Sequence, residues 1–243
     1  WADLWRSQSA HCRRLCFSLD GQADVSGACR THGLENHATL VVGSERIDVD
    51  LALPGRHNVR NALGAATAAL AAGIPLTAIK QGLTDFRGIK GRLQCRAGVH
   101  GAQLLDDTYN ANPLSMRRML EAAAEQAGSR SFVAVLGAML ELGAQAEAEH
   151  EELGRHLARL KPAAVIWKGS CAENVRRGLD MAGYAGVWQP VADADDFAKV
   201  WRDLQSHGLE ASASACGGVA LFKGSRSNKL ETLVSVLTNG REV

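Results

Sequence analysis

Residues 131–168 read SFVAVLGAMLELGAQAEAEHEELGRHLARLKPAAVIWK. Two apolar runs within it, 131–136 and 163–168, have the length and the β-branched content of buried strands. Between them, residues 147–160 carry apolar side chains at the spacing of a helix that packs on one face. A strand, a helix and a second strand in this order predict two parallel strands joined by a crossover helix.

The same alternation extends over most of the second half of the chain. It predicts three more strands and four more helices, with strands at 103–106, 187–190 and 219–223 and helices at 113–126, 172–182, 195–206 and 229–237. Repeated strand and helix units give a parallel sheet that is covered by helices on both faces. We therefore predict an α/β chain that ends in a doubly wound, Rossmann-like domain.

The amino-terminal part has a different pattern. Residues 39–42 are mostly apolar, and after a Gly43-Ser44 turn the apolar residues of 47–51 alternate with polar ones. This pattern predicts an antiparallel hairpin with one solvent-exposed face. A strand at 15–19 precedes this hairpin, and helices at 58–72 and 76–85 follow it.

A glycine-punctuated segment, Gly88-Ile89-Lys90-Gly91, separates these two patterns. Such segments are typical of hinges and domain boundaries. We therefore predict two domains, 1–88 and 89–243.

Composition narrows the classes of function. The 243 residues suit one large or two modest domains, and a net charge of +1 gives no overall field that would attract nucleic acid or anionic lipid. The longest nearly apolar stretch, 63–74, is too short to span a bilayer. We expect no nucleic-acid partner and no membrane insertion. The chain begins with Trp1 rather than Met, which we interpret as a processed or truncated product.

Six cysteines are spread along the chain without the density of a disulfide framework, which favours a reducing, cytoplasmic setting. Between positions 11 and 37, cysteines and histidines occur at spacings that a tetrahedral zinc site could use. Because these pairs lack the regular Cys-x2-Cys spacing, we favour buried thiols and surface imidazoles over a metal site.

Four loops carry polar residues beyond what local structure requires. In a parallel sheet, ligands bind beyond the carboxyl ends of the strands, so the residues after each strand are the first candidates. The candidates are Asp106-Asp107-Thr108-Tyr109-Asn110-Ala111-Asn112-Pro113, the 137–143 loop, Lys223-Gly224-Ser225-Arg226, and Gly55-Arg56-His57-Asn58 with Asn61.

Each of these loops suggests a chemistry. Asn112 suits a helix N-cap with Pro113 behind it, but capping does not require the adjacent carboxylates of Asp106 and Asp107, which suit sugar hydroxyls or a metal. The Lys223 loop offers cations, hydroxyls and a helix N-terminus to an anion. Capping of the predicted helix accounts for only one polar residue near His57. The other polar residues there are candidates for contacts with a nucleotide base or a phosphate.

Three common signatures are absent from the sequence. There is no G-x-x-x-x-G-K-[ST] phosphate loop, no G-x-G-x-x-G fingerprint after a strand and no G-x-S-x-G nucleophile elbow. The Rossmann-like half therefore lacks an evident dinucleotide site.

In combination and in their order along the chain, the four loops resemble the Mur ligases. Leu53-Pro54-Gly55-Arg56-His57-Asn58 with Asn61 is similar to the family's G-x-H-N-x-x-N entry into an Ala-rich helix, and Gly91-Arg92-Leu93 resembles its interdomain arginine. The Asp106 to Pro113 string, Met139-Leu140-Glu141-Leu142-Gly143 and Lys223-Gly224-Ser225-Arg226 are similar to the member that adds D-alanyl-D-alanine to UDP-MurNAc-tripeptide.

The resemblance implies a domain order. Residues 1–88 would be the last part of a P-loop-type central ATPase domain, and 89–243 the complete carboxy-terminal domain. The phosphate loop, the Mg²⁺ ligands and the catalytic lysine region would lie in a missing amino-terminal part, so this fragment would hold no catalytic residue and be inactive alone. It also implies a cytoplasmic enzyme, which we expect to be a monomer.

The resemblance also implies site residues. ATP would be bound by Asn61, Arg92 and Asp107, together with His57 and Asn58. The peptide substrates would be bound by Tyr109, Asn110, Asn112, Lys223, Ser225 and Arg226. Asn61 and Asp107 would grip one nucleotide when the domains close.

The sequence departs from the family's pattern at one position, and three alternative interpretations of its function remain open. Ala138 stands where the family usually has an aspartate, which removes a hydrogen-bond acceptor near the site. Another Mur ligase or a folylpolyglutamate synthase would share the fold, although the Tyr-Asn-Ala-Asn-Pro string argues against both. A non-catalytic binding module is the third alternative.

Overall fold

A computed structural model describes residues 2–32, 35–53, 55–206 and 217–238. The chain divides into two compact units, Trp1–Arg87 and Gly88–Val243. The division falls next to the glycine-punctuated segment that begins at Gly88.

The first unit is a four-stranded sheet with helices. In chain order its elements are α1 Ala2–Gln8, β1 Phe17–Ser18, β2 Val25–His32, β3 Glu35–Val42, β4 Glu45–Leu51, α2 Arg56–Ala71 and α3 Leu76–Asp85. The strands follow the order β1-β2-β3-β4, with β1 parallel to β2 and the other pairs antiparallel. The predicted hairpin is confirmed as β3 and β4, in which Val42 pairs with Glu45. Along β4, Val49 and Leu51 are buried while Asp48 and Asp50 are exposed.

Two predictions for this unit were wrong in detail, and one strand was missed. The strand predicted at 15–19 is reduced to Phe17–Ser18, and β2 was not predicted. Cys12 and Cys16 are exposed and Cys29 is half-buried, so the thiols are not buried as we expected. Cys16 lies in the loop directly before β1, where its amide donates to the Asp24 carboxylate, and it belongs to no buried apolar cluster of the described residues.

The second unit is a doubly wound α/β domain, as predicted. In chain order its elements are β5 Gln94–Ala97, β6 Gln103–Asp107, α4 Pro113–Ala127, β7 Phe132–Gly137, α5 Ala146–Leu160, β8 Ala164–Lys168, α6 Ala172–Met181, β9 Val187–Pro190, α7 Ala194–Ser206, β10 Val219–Lys223 and α8 Glu231–Thr238.

Its six strands follow the order β5-β6-β10-β7-β8-β9, and only β5 is antiparallel to its neighbour. One buried apolar cluster joins the sheet to α4, α5 and α6, and a second cluster on the other face joins it to α7 and α8. Helices on both faces explain why β7, β8 and β10 are almost entirely buried.

Two details of this unit differ from the prediction. The edge strand β5 was missed because its four residues alternate between half-buried and exposed and lack an apolar run. The last helix begins at Glu231 rather than 229, because Lys229 is left-handed (φ 52°) and closes a 3₁₀ turn over Arg226–Asn228.

Candidate functional site

Three loops of the second unit emerge side by side at one edge of the sheet. Strand β10 lies between β6 and β7 and is parallel to both, so that Lys223 is in register with Asp107 on one side and Leu136 on the other. The loops that follow these three strands carry the residues that the sequence singled out. The topology therefore brings the Asp106, Lys223 and 137–143 loops together.

A charged pair lies at the centre of this edge. The Lys223 Nζ donates to Asp107 Oδ2 at 2.5 Å and to the Asn110 carbonyl at 3.0 Å. The two side chains are only 3% and 16% exposed. Lys223 therefore holds the 107–110 segment against β10, and its predicted contact with a substrate anion stays a prediction.

Asp106 and Asp107 face different surroundings, so they do not form the paired carboxylate site that the sequence suggested. Asp106 is buried, accepts from the Thr108 hydroxyl at 2.7 Å and pairs with Arg96 at 3.3 Å. It orders the turn after β6. Asp107 accepts from the Leu93 amide at 3.2 Å, and a carboxylate has lone pairs for further donors such as sugar hydroxyls.

The segment around Arg92 is fixed to the same turn. The Tyr109 amide donates to the Gly91 carbonyl at 2.8 Å. Gly91 has a φ of +73°, and a Cβ there would lie 3.0 Å from the Thr108 hydroxyl and 3.2 Å from the Tyr109 amide nitrogen. A glycine is therefore required for the 91–93 segment to pass so close to the turn.

Two guanidinium groups lie near the Tyr109 ring. The Arg92 Cζ lies 4.2 Å from the ring centroid and the Arg226 Cζ 5.9 Å from it. The tyrosine is 41% exposed. Three predicted site residues from separate segments are thus brought together at the surface.

Two asparagines of this loop have structural partners. Asn112 accepts from the Ser115 amide at 2.8 Å while its own amide donates to the Ser115 hydroxyl, which confirms Asn112 as the N-cap of α4. The Asn110 side chain accepts from the Ala111 amide at 2.8 Å. Substrate contacts by either residue stay predictions.

The loop after β7 is held by its backbone. The Ala138 carbonyl accepts from the Ser225 amide and the Asn228 side chain, and the Leu140 amide donates to the Ser225 hydroxyl at 3.0 Å. Ala138 is fully buried, so an aspartate in its place would put a carboxylate inside the domain. The Ser225 hydroxyl, which we predicted to hold a substrate anion, is already an acceptor within the loop.

In the first unit, the polar cluster surrounds the start of α2. The helix begins at Arg56 rather than 58, its N-cap is Gly55 (φ 86°), and no side chain caps it. Capping therefore accounts for neither asparagine. Asn61 donates to the Asn58 side chain at 3.4 Å, and both His57 and Asn61 are exposed on the first turns.

The model of the domain described as Mur ligase, glutamate ligase domain, matches residues 91–226, which is most of the second unit. This chain belongs to the Mur ligase family.

Similarity to known Mur ligases covers both units. The crystal structure II of MurF from Acinetobacter baumannii superimposes with a TM-score of 0.82 at 30% identity and covers 98% of this chain but 50% of that one. The UDP-N-acetylmuramoyl-tripeptide--D-alanyl-D-alanine ligase of Escherichia coli (strain K12) is 44% identical over 124 residues, which are 51% of this chain and 26% of that protein. The enzyme of the same name from Haemophilus influenzae is 28% identical over 235 residues, 96% of this chain and 48% of its own length. The chain thus spans at most about half the length of these relatives.

The described residues do not provide a metal site. Among them, no group of three or more histidine, cysteine, aspartate or glutamate side chains could hold an ion. We therefore assign no residue in the described part of this Mur ligase chain to Mg²⁺. The side chain of His32, one member of the predicted cysteine and histidine cluster, lies outside the described residues.

Within the described part of the chain, we find no helix whose length and apolar character would let it cross a bilayer.

Sequence reasoning missed two buried residues that shape the site loops. His150 of α5 is fully buried, its Nε2 accepts from the Met139 amide at 3.0 Å, and its Nδ1 therefore carries the hydrogen that it shares with the Ala146 carbonyl at 2.6 Å. Asn36 of β3 is also buried and donates to the Leu53 and Gly55 carbonyls before α2. The signal for His150 was its place on the apolar stripe of α5 with Leu153 and Leu157.

We expect His150→Leu to lower the free energy of unfolding of the second unit by about 1–3 kcal/mol, because the buried Met139 amide loses its acceptor. His150→Gln, which keeps an acceptor, should lose less. Urea unfolding measures the stability, and hydrogen exchange at Met139 reports the local opening. Wild-type exchange at Met139 in His150→Leu would show that the bond does not hold the loop.

Proposed function

We propose that this chain is part of an ATP-dependent ligase that joins D-alanyl-D-alanine to UDP-MurNAc-tripeptide in peptidoglycan precursor synthesis. The observation that carries the proposal is the 30% identical match to a MurF structure over 98% of the chain. The residues gathered around β10 lie within the region that matches the family's domain.

The reaction needs an activated carboxylate, because a carboxylate does not react with amines in water. A tripeptide carboxylate oxygen attacks the γ-phosphorus of ATP, the bond to the leaving ADP oxygen breaks, and an acyl phosphate forms. The dipeptide amine then attacks the acyl carbon, a C–N bond forms, and phosphate leaves while the amine gives up a proton. Positioning of the groups and neutralisation of their charge supply most of such catalysis.

The residues of this chain would bind and orient the substrates. We propose that Asp107 accepts hydrogen bonds from the ribose and that Arg92 binds the ATP phosphates. This fits the surroundings of Asp107, since Lys223 and the Leu93 amide fix the carboxylate and leave lone pairs free.

In the first unit, we propose that Asn61 contacts ATP, with His57 and Asn58 beside it. Their position supports this proposal, because they occupy the first two turns of α2 without being used as its N-cap.

We propose that Arg226 and Ser225, supported by Lys223, bind the anionic end of a peptide substrate, with Tyr109, Asn110 and Asn112 nearby. We place the whole enzyme in the cytoplasm, where ATP and UDP-linked precursors are found. Another Mur ligase specificity or a folylpolyglutamate synthase activity is the second candidate, and ligation of a single amino acid instead of the dipeptide would indicate it.

The proposal is tested by ligation kinetics of the full gene product that contains this chain. Arg92→Ala should raise the KM for ATP at least about tenfold, since a phosphate contact to a charged group is worth about 1.5–3 kcal/mol. Arg118→Ala, which removes another exposed arginine of the second unit, is the matched control and should leave kcat/KM unchanged.

Asn61→Ala should likewise raise the KM for ATP. Its control is Arg60→Ala, at the exposed position directly before it, which should not. The 243-residue chain alone should show no ATP-dependent ligation, because its sequence has no phosphate loop. Turnover by the chain alone in a phosphate-release assay, or equal KM values for Arg92→Ala and Arg118→Ala, would remove these assignments.

A further inference from the structure

We infer that Arg92, Tyr109 and Arg226 form one oxyanion-binding site, in which the Tyr109 ring is a positioning residue that holds both guanidinium groups for a single ligand. We name these three side chains the Tyr109 platform. The inference rests on the proposed function, which supplies the ligands, and it changes one assignment made there. The ligand that both arginines share is either the phosphate chain proposed for Arg92 or the peptide anion proposed for Arg226.

The first observation is that the two arginine side chains lie near the same aromatic ring. The two guanidinium carbons lie 4.2 Å and 5.9 Å from the Tyr109 centroid, so they are separated by no more than the sum of these distances. A guanidinium over an aromatic face is attracted by the ring quadrupole, and this contact restricts a side chain that is otherwise flexible. The ring thus reduces the entropy that each arginine would lose on binding a ligand.

The second observation is the scarcity of counter-charge. Among the described residues no carboxylate pairs with Arg92, and its guanidinium contacts the ring instead. Within the described ranges, the one carboxylate near Arg226 is that of Glu231, at a long distance of 3.7 Å, and the Arg226 side chain is 63% exposed. Two like charges beside one ring repel each other, so an anion that touches both relieves the repulsion.

The third observation is that the backbone under the platform is fixed. The Tyr109 amide donates to the Gly91 carbonyl, next to Arg92, at 2.8 Å. On the other side, the Asn228 side chain donates to the Ser225 carbonyl, next to Arg226, at 2.8 Å. The arginines therefore project from two anchored turns, as a preorganised site requires.

The chemistry selects a phosphate or carboxylate oxyanion. Guanidinium groups donate paired N–H groups that match the two oxygens of either group. The phosphate chain of a nucleotide and the carboxylate of a dipeptide are the two sources, and they are separated by using inorganic pyrophosphate and D-alanyl-D-alanine as probes.

The test is an NMR titration of the isotopically labelled chain, observing the arginine Nε–Hε signals. With at least one probe, we expect Arg92 and Arg226 to shift with the same apparent Kd. Tyr109→Leu should weaken that Kd at least tenfold, whereas Tyr109→Phe, which keeps the ring face, should remain within about threefold. Leu114→Ala, at an exposed neighbouring position, is the matched control.

A second variant keeps the inference testable if Tyr109→Leu does not fold. Arg226→Ala should weaken the response of Arg92 to the same probe at least tenfold, and Glu231→Gln should strengthen it, because the competing carboxylate is removed. Different Kd values for the two arginines, an unchanged Kd in Tyr109→Leu, or no shift with either probe would overturn the inference. If the full protein without substitutions has no ligase activity, the proposed function is contradicted. The outcome of these titrations does not depend on that result.

Discussion

Asp107→Ala is expected to lower the free energy of unfolding of the second unit by about 3 kcal/mol, because it leaves the ammonium of Lys223 buried without its carboxylate. The double variant Asp107→Ala/Lys223→Met should lose less than Asp107→Ala alone, since both charges are then absent. Chemical unfolding followed by the fluorescence of Trp167, Trp188 and Trp201 measures this transition.

Asp180→Ala is the matched control for the ion pair. It breaks a pair with Arg176 in which both side chains are about half exposed, and such pairs contribute about 0–1 kcal/mol. Equal losses for Asp107→Ala and Asp180→Ala would contradict the view that the Lys223 pair is a buried anchor of the site. If the anchor is confirmed, any loss of ligation in Asp107→Ala combines a ribose contact with the position of the whole 107–110 segment.

Gly178→Ala should cost about 3 kcal/mol or more, because helices α5 and α6 touch at this residue. A Cβ on Gly178 would lie 2.0 Å from the Glu151 carbonyl oxygen, and one on the facing Gly154 would lie 2.2 Å from the Val175 carbonyl oxygen. Both obstacles are backbone atoms, which cannot turn aside as a side chain can, so the two helices must separate. The thermal transition of the second unit measures the cost.

The control for this substitution is Gly82→Ala in α3, where a Cβ would have no atom within 4 Å. There the better helix propensity of alanine should stabilise the first unit by up to about 1 kcal/mol. A Gly178→Ala variant as stable as the wild type would show that α5 and α6 can move apart freely. The contact matters for function because α5 also carries His150, which holds the loop after β7.

The sequence predicted elements whose stability depends on local pattern. Helix α3 and strands β9 and β10 were predicted with the bounds that the structure shows, because each is bounded by proline, glycine or a change of period. The N-cap at Asn112 was predicted for the same reason, since its signal lies within four residues.

What the sequence could not predict depends on partners distant along the chain. Strand β2 contains Gly27, where a Cβ would lie 3.0 Å from the Leu63 side chain, so its apolar pattern is interrupted to admit α2. The roles of Asp106 and Asp107 diverge because successive strand residues point to opposite faces of the sheet. The contact of Arg92 with Tyr109 joins two turns that only the strand pairing brings together.

The ligase assignment is tested most directly by mass spectrometry of a reaction that contains the full gene product carrying this chain, ATP, UDP-MurNAc-tripeptide and D-alanyl-D-alanine. We predict an amide-linked UDP-MurNAc-pentapeptide, with one ADP and one phosphate formed per amide, and no product when either ATP or the dipeptide is omitted. ATP turnover without the amide, or no ligated product from a folded protein with all three substrates present, would contradict the assignment.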